Sequence, residues 1–294
     1  AASDVYKRQT YAWDRVIPEM ARELEPKNVL LHRYFVTDGP EARFRYSTAA
    51  LNDGRNSMGI YHSLSFLIEG RNGISVEADI RERTRQQLET IKSFIGFFAR
   101  NADEVQALVT REKEALTSPD RAEEVALVMD YVADPDRPTT EVGVIDIESG
   151  EQRSMTIEAY HPLVMATHTV PRPFGYVIPA DQTDVLDVLE RHRIVFRRLD
   201  APASMLLESY RITGVTPSSK EDKDFLEVEV AESRGQTQVP AGSVLVLCDQ
   251  PASNLIVTLL EPQSQWGLAP LPGFDSLLTV GGDFPIRRVV GLPD

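Results

Sequence analysis

The chain has 294 residues, of which 42% are hydrophobic and 26% are charged, so it can bury a core and is neither disordered nor collagen-like. The net charge of −14 repels phosphate backbones and argues against a nucleic-acid partner, and the single cysteine, Cys248, excludes an intrachain disulfide and a thiolate metal cluster. The sequence contains no run of about 18 apolar residues and therefore predicts no membrane span.

The pattern divides the chain into a short start and two units. Residues 1–9 (AASDVYKRQ) lack the apolar core of a signal peptide and do not continue the helical pattern that follows, so we interpret them as a non-native or truncated start. On that interpretation the protein is secreted or periplasmic if a signal peptide lies upstream. The acidic excess falls almost entirely in residues 121–294, and a polar cluster at 117–120 separates this second unit from the first, residues 10–120.

The first unit is predicted to mix helices and strands. Helices are expected over residues 14–25, 76–99 and 102–116. The apolar stripe of the long middle helix is expected to consist of Ile80, Leu88, Ile91, Phe94, Ile95 and Phe98. Strands are expected over residues 28–36, 43–48 and 64–69, of which the last (LSFLIE) is the candidate for a central strand.

The second unit is predicted to be mainly β. Strands are expected over residues 125–132, 141–147, 153–160, 176–179, 194–199, 206–212, 225–230 and 243–246, and helices over 180–191 and 251–260. The strand–helix–strand stretch at 176–199 has no glycine-rich turn, so it does not indicate a nucleotide site.

Histidine patterns give little indication of a metal site. None of the five histidines has HExxH or HxxE spacing, and no two of them are placed to share a helix face at i, i+4. His161 and His168, seven residues apart around Pro162, are either a metal-binding pair or two partly exposed histidines. His32 lies in a predicted buried strand and is expected to be a hydrogen-bonded core residue.

The segment from Tyr46 to Gly73 contains the candidate catalytic acid, Glu69, at the carboxyl end of the predicted strand over residues 64–69. Sites in open α/β sheets form at that end of the strands, and an apolar strand behind the carboxyl group excludes water from one side of it. Glu69 could therefore act as a general base. The alternative is that Glu69 only caps the strand end and pairs with Arg71.

The run GRNSMGIYHSLSFLIEGRNG resembles the segment around the catalytic glutamate of carboxypeptidase A-like zinc metallopeptidases, in which a strand ends in an acid that is followed by Arg and Gly. The matching residues are Gly54, Arg55, Asn56, Gly59, Leu67 and Glu69. Residues 171–199 and 240–261 resemble the accessory C-terminal domain of such proteins. The resemblance implies an α/β fold: the incomplete C-terminal part of a zinc-carboxypeptidase-like mixed sheet with helices, followed by a smaller, β-rich α+β accessory domain.

The resemblance also implies a chemistry and a set of roles. A zinc ion held by two His and one Glu would activate water for hydrolysis of a peptide or amide bond, with Glu69 as the general base. Arg71 resembles the basic residue beside the glutamate, which binds substrate or merely orients the acid. The remaining candidates for substrate binding are Arg55, Asn56 and Tyr46, the last as a hydroxyl donor.

The family's zinc ligands normally lie upstream of the glutamate, and the 68 residues before Glu69 do not supply their pattern. The chain is therefore expected to be a truncated or degenerate relative that is inactive alone. Two other functions are open: a non-catalytic binding module or pseudo-enzyme, and a glycosidase-type site. The glycosidase reading pairs Glu69 with Asp79 or Asp53 across about 5 to 9 Å.

Overall fold

The computed structural model describes residues 8–37, 42–70, 76–118, 124–146, 148–220 and 223–291. Its first element is a helical run over residues 8–27, with a π-helical turn at Ala12–Val16, helix α1 at Ile17–Leu24 and a 3₁₀ turn at Glu25–Lys27. Pro18 is the second residue of α1 but lies inside the helical run, so its missing N–H removes one backbone hydrogen bond there, directly after the π-helical turn. The helix predicted over residues 14–25 is confirmed.

Two predicted strands of the first unit are wrong. Residues 29–35 and 63–70 belong to no strand, although burial alternates over residues 29–34 and 66–69 as it does in a strand with one covered face. Val29 is buried, whereas Leu30 is 83% exposed and Leu67 is 56% exposed. A strand is defined by backbone hydrogen bonds to a neighbouring strand. In the part of the chain that the structure describes, neither segment pairs with one.

Strand β1 is only the pair Phe44–Arg45, and helix α2, Gly54–Ile60, follows it. Helices α3, Val76–Arg100, and α4, Ala102–Thr117, agree with the two later helix predictions. The predicted apolar stripe of α3 is partly wrong. Phe94 is buried and Phe98 partly buried against α1, but the other four members of the stripe face outward: Ile80, Leu88, Ile91 and Ile95. Helix α3 therefore has apolar side chains on two faces.

The second unit begins with antiparallel pairs. Strand β2, Glu124–Val132, pairs with β6, Leu163–Pro171. The chain between these two strands forms a separate pair, in which β3, Thr140–Ile145, lies beside β4, Gln152–Ile157. The short strand β5, Tyr160–His161, pairs in parallel with β1, so the two units share one ladder.

A six-stranded antiparallel sheet forms the centre of the second unit. Its remaining elements in chain order are β7 (Gly175–Ile178), α5 (Thr183–Arg191), β8 (Arg197–Arg198), β9 (Ala203–Lys220), β10 (Lys223–Val239), β11 (Val244–Leu247), α6 (Ser253–Leu260), a 3₁₀ turn (Asp275–Leu277) and β12 (Arg287–Gly291). The strand order is β10-β9-β12-β7-β11-β8. Helices α5 and α6 pack on one apolar core with β7, β9 and β11, which explains their apolar faces. The strand predicted over 194–199 shortens to β8.

A buried ion pair lies inside this core. Arg288 on β12 donates two hydrogen bonds to Glu261, at 2.7 and 2.8 Å, and the two side chains are only 4% and 1% exposed. The hydroxyl groups of Tyr176 and Tyr210 also donate to the Glu261 carboxylate, at 2.5 and 3.3 Å. Burial and the Glu261 charge raise the pKa of both tyrosines. The carboxylate is thereby fully hydrogen-bonded.

Within the ranges described, none of the helices combines the length and the apolar character that crossing a membrane requires.

Candidate functional site

Glu69 lies near the end of the extended segment 63–70, and its side chain is exposed. Phe66 and Ile68, on the covered side of that segment, pack against the α1–α3 core, which fixes the backbone just before the acid. The Glu69 carboxylate forms no ion pair with the residues that the structure describes, and the residue is exposed. Arg71 lies outside the described residues, and its predicted pairing with Glu69 stays a prediction.

The two candidate second acids of a glycosidase-type site, Asp53 and Asp79, lie in different elements. The Asp53 carboxylate caps helix α2, because its Oδ1 accepts a hydrogen bond from the backbone N–H of Arg55 at 3.1 Å. It also lies 3.7 Å from the Arg55 guanidinium. Asp79 lies on α3, where it is half-exposed. The glycosidase-type pairing therefore stays a prediction, and Asp53 already has a structural role.

Arg55 and Asn56 hold the turn that precedes α2. The Asn56 amide donates to the backbone carbonyls of Thr48 and Ala50, both at 2.9 Å. Arg55 donates to the hydroxyl group of Ser47 at 2.9 Å. These hydrogen bonds fix the backbone of residues 47–50, which directly follow Tyr46. Arg55 and Asn56 therefore help to position Tyr46. Their predicted contact with substrate stays a prediction.

Tyr46 belongs to an aromatic cluster where the two units meet. Its hydroxyl group lies 2.8 Å from that of Tyr160, and Phe44 packs against both rings. Tyr131 donates a hydrogen bond to the Tyr46 carbonyl. Burial and the hydrogen bond to Tyr46 raise the pKa of Tyr160 to about 12. The Tyr160 hydroxyl group therefore keeps its proton at physiological pH.

Two arginines that the sequence did not single out complete this junction. The Arg33 guanidinium lies 3.7 Å from the centroid of the Tyr46 ring. Arg43 donates to Asp130 at 2.6 Å, to His161 Nδ1 at 3.1 Å, and to the carbonyl of Tyr131. Only the aromatic-rich composition of residues 33–46 (RYFVTDGPEARFRY) could have indicated such a cluster, and it gives no contact pairs.

The histidines occupy several environments. His32 is exposed, which contradicts the predicted core position, because the strand expected around it is absent. His62 Nε2 donates to the carbonyl of Pro251 at 2.9 Å, and His192 hydrogen-bonds the Tyr61 hydroxyl group. His168 lines a polar groove of about 550 Å³ together with Arg43. A second groove, of about 470 Å³, lies beside α5 and α6.

No set of three or more His, Cys, Asp or Glu side chains in the described ranges is arranged to hold a metal ion. His161 and His168 belong to no such set, and His161 Nδ1 instead accepts the hydrogen bond from Arg43. The residues described here thus do not provide a zinc site.

Comparison with known proteins connects the chain to fungal carboxypeptidases. Carboxypeptidase 2 of Trichophyton tonsurans is 26% identical over 250 residues, which cover 80% of this chain and 43% of the relative. Carboxypeptidase 2 of Trichophyton rubrum is 25% identical over 255 residues, with the same coverage. The chain thus spans less than half the length of the curated relatives it matches. No family model matches it, and no solved structure matches it.

Proposed function

We propose that this chain is part of a zinc-dependent carboxypeptidase that hydrolyses a peptide or amide bond, and that Glu69 is its general base. The similarity to carboxypeptidases over 80% of the chain supports the class of activity. Because the chain spans 43% of those relatives, the activity is proposed for a longer protein, and these residues alone are expected to be inactive.

The observation that carries the role of Glu69 is its exposed carboxylate at the end of a segment packed on the α1–α3 core. A general base must reach the proton that it removes and must keep a lone pair free to accept it. A carboxylate held in an ion pair is a weaker base, because the positive partner favours its ionised form. Glu69 meets both requirements within the described ranges.

Zinc enters this proposal only through the resemblance. The described residues do not fit a zinc site, so the ligands would have to come from other parts of a longer protein. The proposal assigns this chain the groups that take up a proton and hold substrate, and none of the metal ligands.

Substrate binding is proposed for the residues around Tyr46. The Tyr46–Tyr160 hydroxyl pair keeps a proton that can be donated to a substrate oxygen. Arg55 and Asn56 help to position Tyr46 by fixing the turn at residues 47–50. Arg71 is retained as the basic neighbour of Glu69.

The packing of the first unit supports the idea of a longer protein. The segments at 29–35 and 63–70 have one covered and one open face, and the α3 stripe Ile80, Leu88, Ile91 and Ile95 is exposed. A row of exposed apolar side chains often marks a surface that contacts another segment or another protein. Additional strands and helices would pair with these segments and cover that surface.

The test uses the complete reading frame that contains this chain. The encoded protein should hold about one zinc per chain by elemental analysis and release the C-terminal residue of N-blocked dipeptides. Glu69→Gln should lower kcat by about 10²- to 10⁴-fold, the contribution of a general base, and should leave the zinc content unchanged.

Glu148→Gln, at an exposed glutamate in a β3–β4 turn, is the matched control and should retain full kcat. A Glu69→Gln protein with kcat within about threefold of the parent would remove Glu69 from the chemistry. A complete protein that neither holds zinc nor cleaves these peptides would be a pseudo-enzyme or a binding module.

A further inference from the structure

Strand β10 forms one edge of the six-stranded sheet, because it stands at the end of the strand order beside β9. From Val230 to Val239 its pairing with β9 runs in one continuous register, and the register shift of this ladder lies just before that stretch. Among the residues that the structure describes, no strand lies against the outer side of β10. The outward N–H and C=O groups of an edge strand are a template for pairing with a further strand.

The side chains of this stretch leave the edge uncovered. Residues 231–236 and Gln238 are exposed, and the stretch from Val230 to Val239 contains neither proline nor lysine. Native sheets commonly block an edge with such residues, with bulges or by keeping the edge strand short. The opposite edge is blocked in this way, since β8 consists only of Arg197 and Arg198, both exposed. Strand β10 is therefore the edge of this sheet that is open to pairing.

Glu232 and Arg234 are the two charged residues between Val230 and Val239. They lie two positions apart, so both side chains point to the same face of the strand. Within the described ranges Glu232 forms no ion pair, and Arg234 approaches Glu208 only to 4.0 Å and stays 56% exposed. Both charges are therefore available to a partner. Their sum is zero, which lowers the repulsion between two copies of a chain whose net charge is −14.

We propose that the partner at this edge is a second copy of this chain, whose β10 pairs antiparallel with the first about a twofold axis at Ser233. In that register Glu232 of each copy lies opposite Arg234 of the other, so the same ion pair forms twice. Moving the axis by one residue would place Glu232 opposite Glu232 or Arg234 opposite Arg234. The charges thus select a single register.

This arrangement closes on itself, because both copies use the same patch and no edge of β10 remains for a third. Backbone hydrogen bonds supply the attraction, as they do whenever a strand is added to a sheet edge. A strand from a different protein would not need self-complementary charges, so the order of Glu232 and Arg234 favours a second copy. The proposal uses neither Glu69 nor zinc and is independent of the peptidase proposal.

Disulfide cross-linking tests the register. Ser233→Cys places two thiols face to face on the axis, where opposite Cα atoms of antiparallel strands lie about 4.5–5.5 Å apart, within the range of a disulfide. The native Cys248 is 0% exposed and does not compete. Mild oxidation of the 294-residue chain should convert most of this variant to a disulfide-linked dimer. Gln236→Cys on the same strand should stay uncross-linked, because its two copies would lie about 20 Å apart.

Charge reversal tests the ion pairs by sedimentation equilibrium. Every variant carries Ile91→Lys, which weakens association through the exposed α3 stripe. Glu232→Arg and Arg234→Glu each place like charges opposite one another, so each should raise the dimer Kd by about tenfold or more. The double reversal restores opposite charges in the swapped order and should return the Kd to within about threefold of the background. Glu190→Arg, at an exposed glutamate of α5, changes the net charge equally and should leave the Kd unchanged.

A background chain that is monomeric at high concentration would overturn the proposal, and so would pairing of this edge with a peptide of another protein without a dimer. Equal cross-linking of Ser233→Cys and Gln236→Cys would refute the register. A double reversal that dimerises as weakly as the single ones would refute the ion pairs. Ser233→Cys introduces no charge at an exposed position, so its cross-linking decides if the charge variants do not fold.

Discussion

The buried pair of Arg288 and Glu261 allows a stability prediction that can be worked out from its geometry. Glu261→Gln keeps the shape of the side chain but removes its charge. The Arg288 cation, which is 4% exposed, then loses the carboxylate bonded to it at 2.7 and 2.8 Å and keeps only Glu208, whose carboxylate lies 3.4 Å away. Removing one partner of a buried ion pair typically costs about 3–5 kcal/mol, because the remaining charge is uncompensated. That is a large fraction of the about 5–15 kcal/mol by which domains are stable.

Burial by itself acts to lower the pKa of Arg288, but the hydrogen bonds and charge of Glu261 outweigh it and raise that pKa. The variant removes this effect, but a guanidinium group does not lose its proton in proteins, so the arginine remains charged and cannot relieve the cost by deprotonation. Urea unfolding followed by circular dichroism should show a loss of about 3–5 kcal/mol in the free energy of unfolding.

A double-mutant cycle isolates the pair. The double variant with Glu261→Leu and Arg288→Met should be less destabilised than the sum of Glu261→Leu and Arg288→Met by about 2 kcal/mol or more, because it leaves neither member of the buried pair charged without the other. Glu82→Gln, in the exposed pair of Glu82 and Arg85 at 2.6 Å, is the matched control and should be indistinguishable from the parent. If Glu261→Gln costs no more than this control, burial does not determine the energy of the pair.

Two further predictions concern the junction and the exposed helix face. The pKa of Tyr160 is raised to about 12 in the folded state, so the folded chain retains a proton that the unfolded chain loses near pH 10. The resulting stabilisation is complete below about pH 10 and is lost as the pH rises to about 12. Tyr160→Phe should therefore flatten the fall in melting temperature between these pH values. An unchanged slope would contradict the raised pKa of Tyr160. The exposed α3 stripe should cause self-association, so Ile91→Lys or Ile95→Lys should shift the sedimentation profile toward monomer. Lys92→Glu, at a position that is already charged, is the control and should not shift it. A parent chain that is monomeric at high concentration would refute this prediction.

Local patterns predicted the longer helices well, because a helix satisfies its backbone hydrogen bonds within its own segment. The seven-residue helix α2 was not predicted. Helices α3 to α6 lie close to their predicted ranges for that reason. The segments at 29–35 and 63–70 form no strand, although burial alternates over residues 29–34 and 66–69 as it would in one. A strand forms only where a second strand exchanges backbone hydrogen bonds with it, and the local sequence does not show whether that second strand is present.

The site was predictable only in part. Glu69 could be identified because it follows an apolar run and resembles a known motif. Arg33, in contrast, acquires its meaning from Trp13 and Tyr46, which are 20 and 13 residues away and meet it only through the fold. Glu261 likewise follows an ordinary apolar helix, and only its contact with Arg288 marks it as part of a buried network.

Glu69 and Arg33 lie in two extended segments that pack on one α1–α3 core, so the same apolar contacts fix both backbones. A chain segment that paired with the open edges of these two segments would restrict both side chains at once. In the longer protein that we propose, the position of the general base should therefore be fixed more narrowly than in the 294-residue chain.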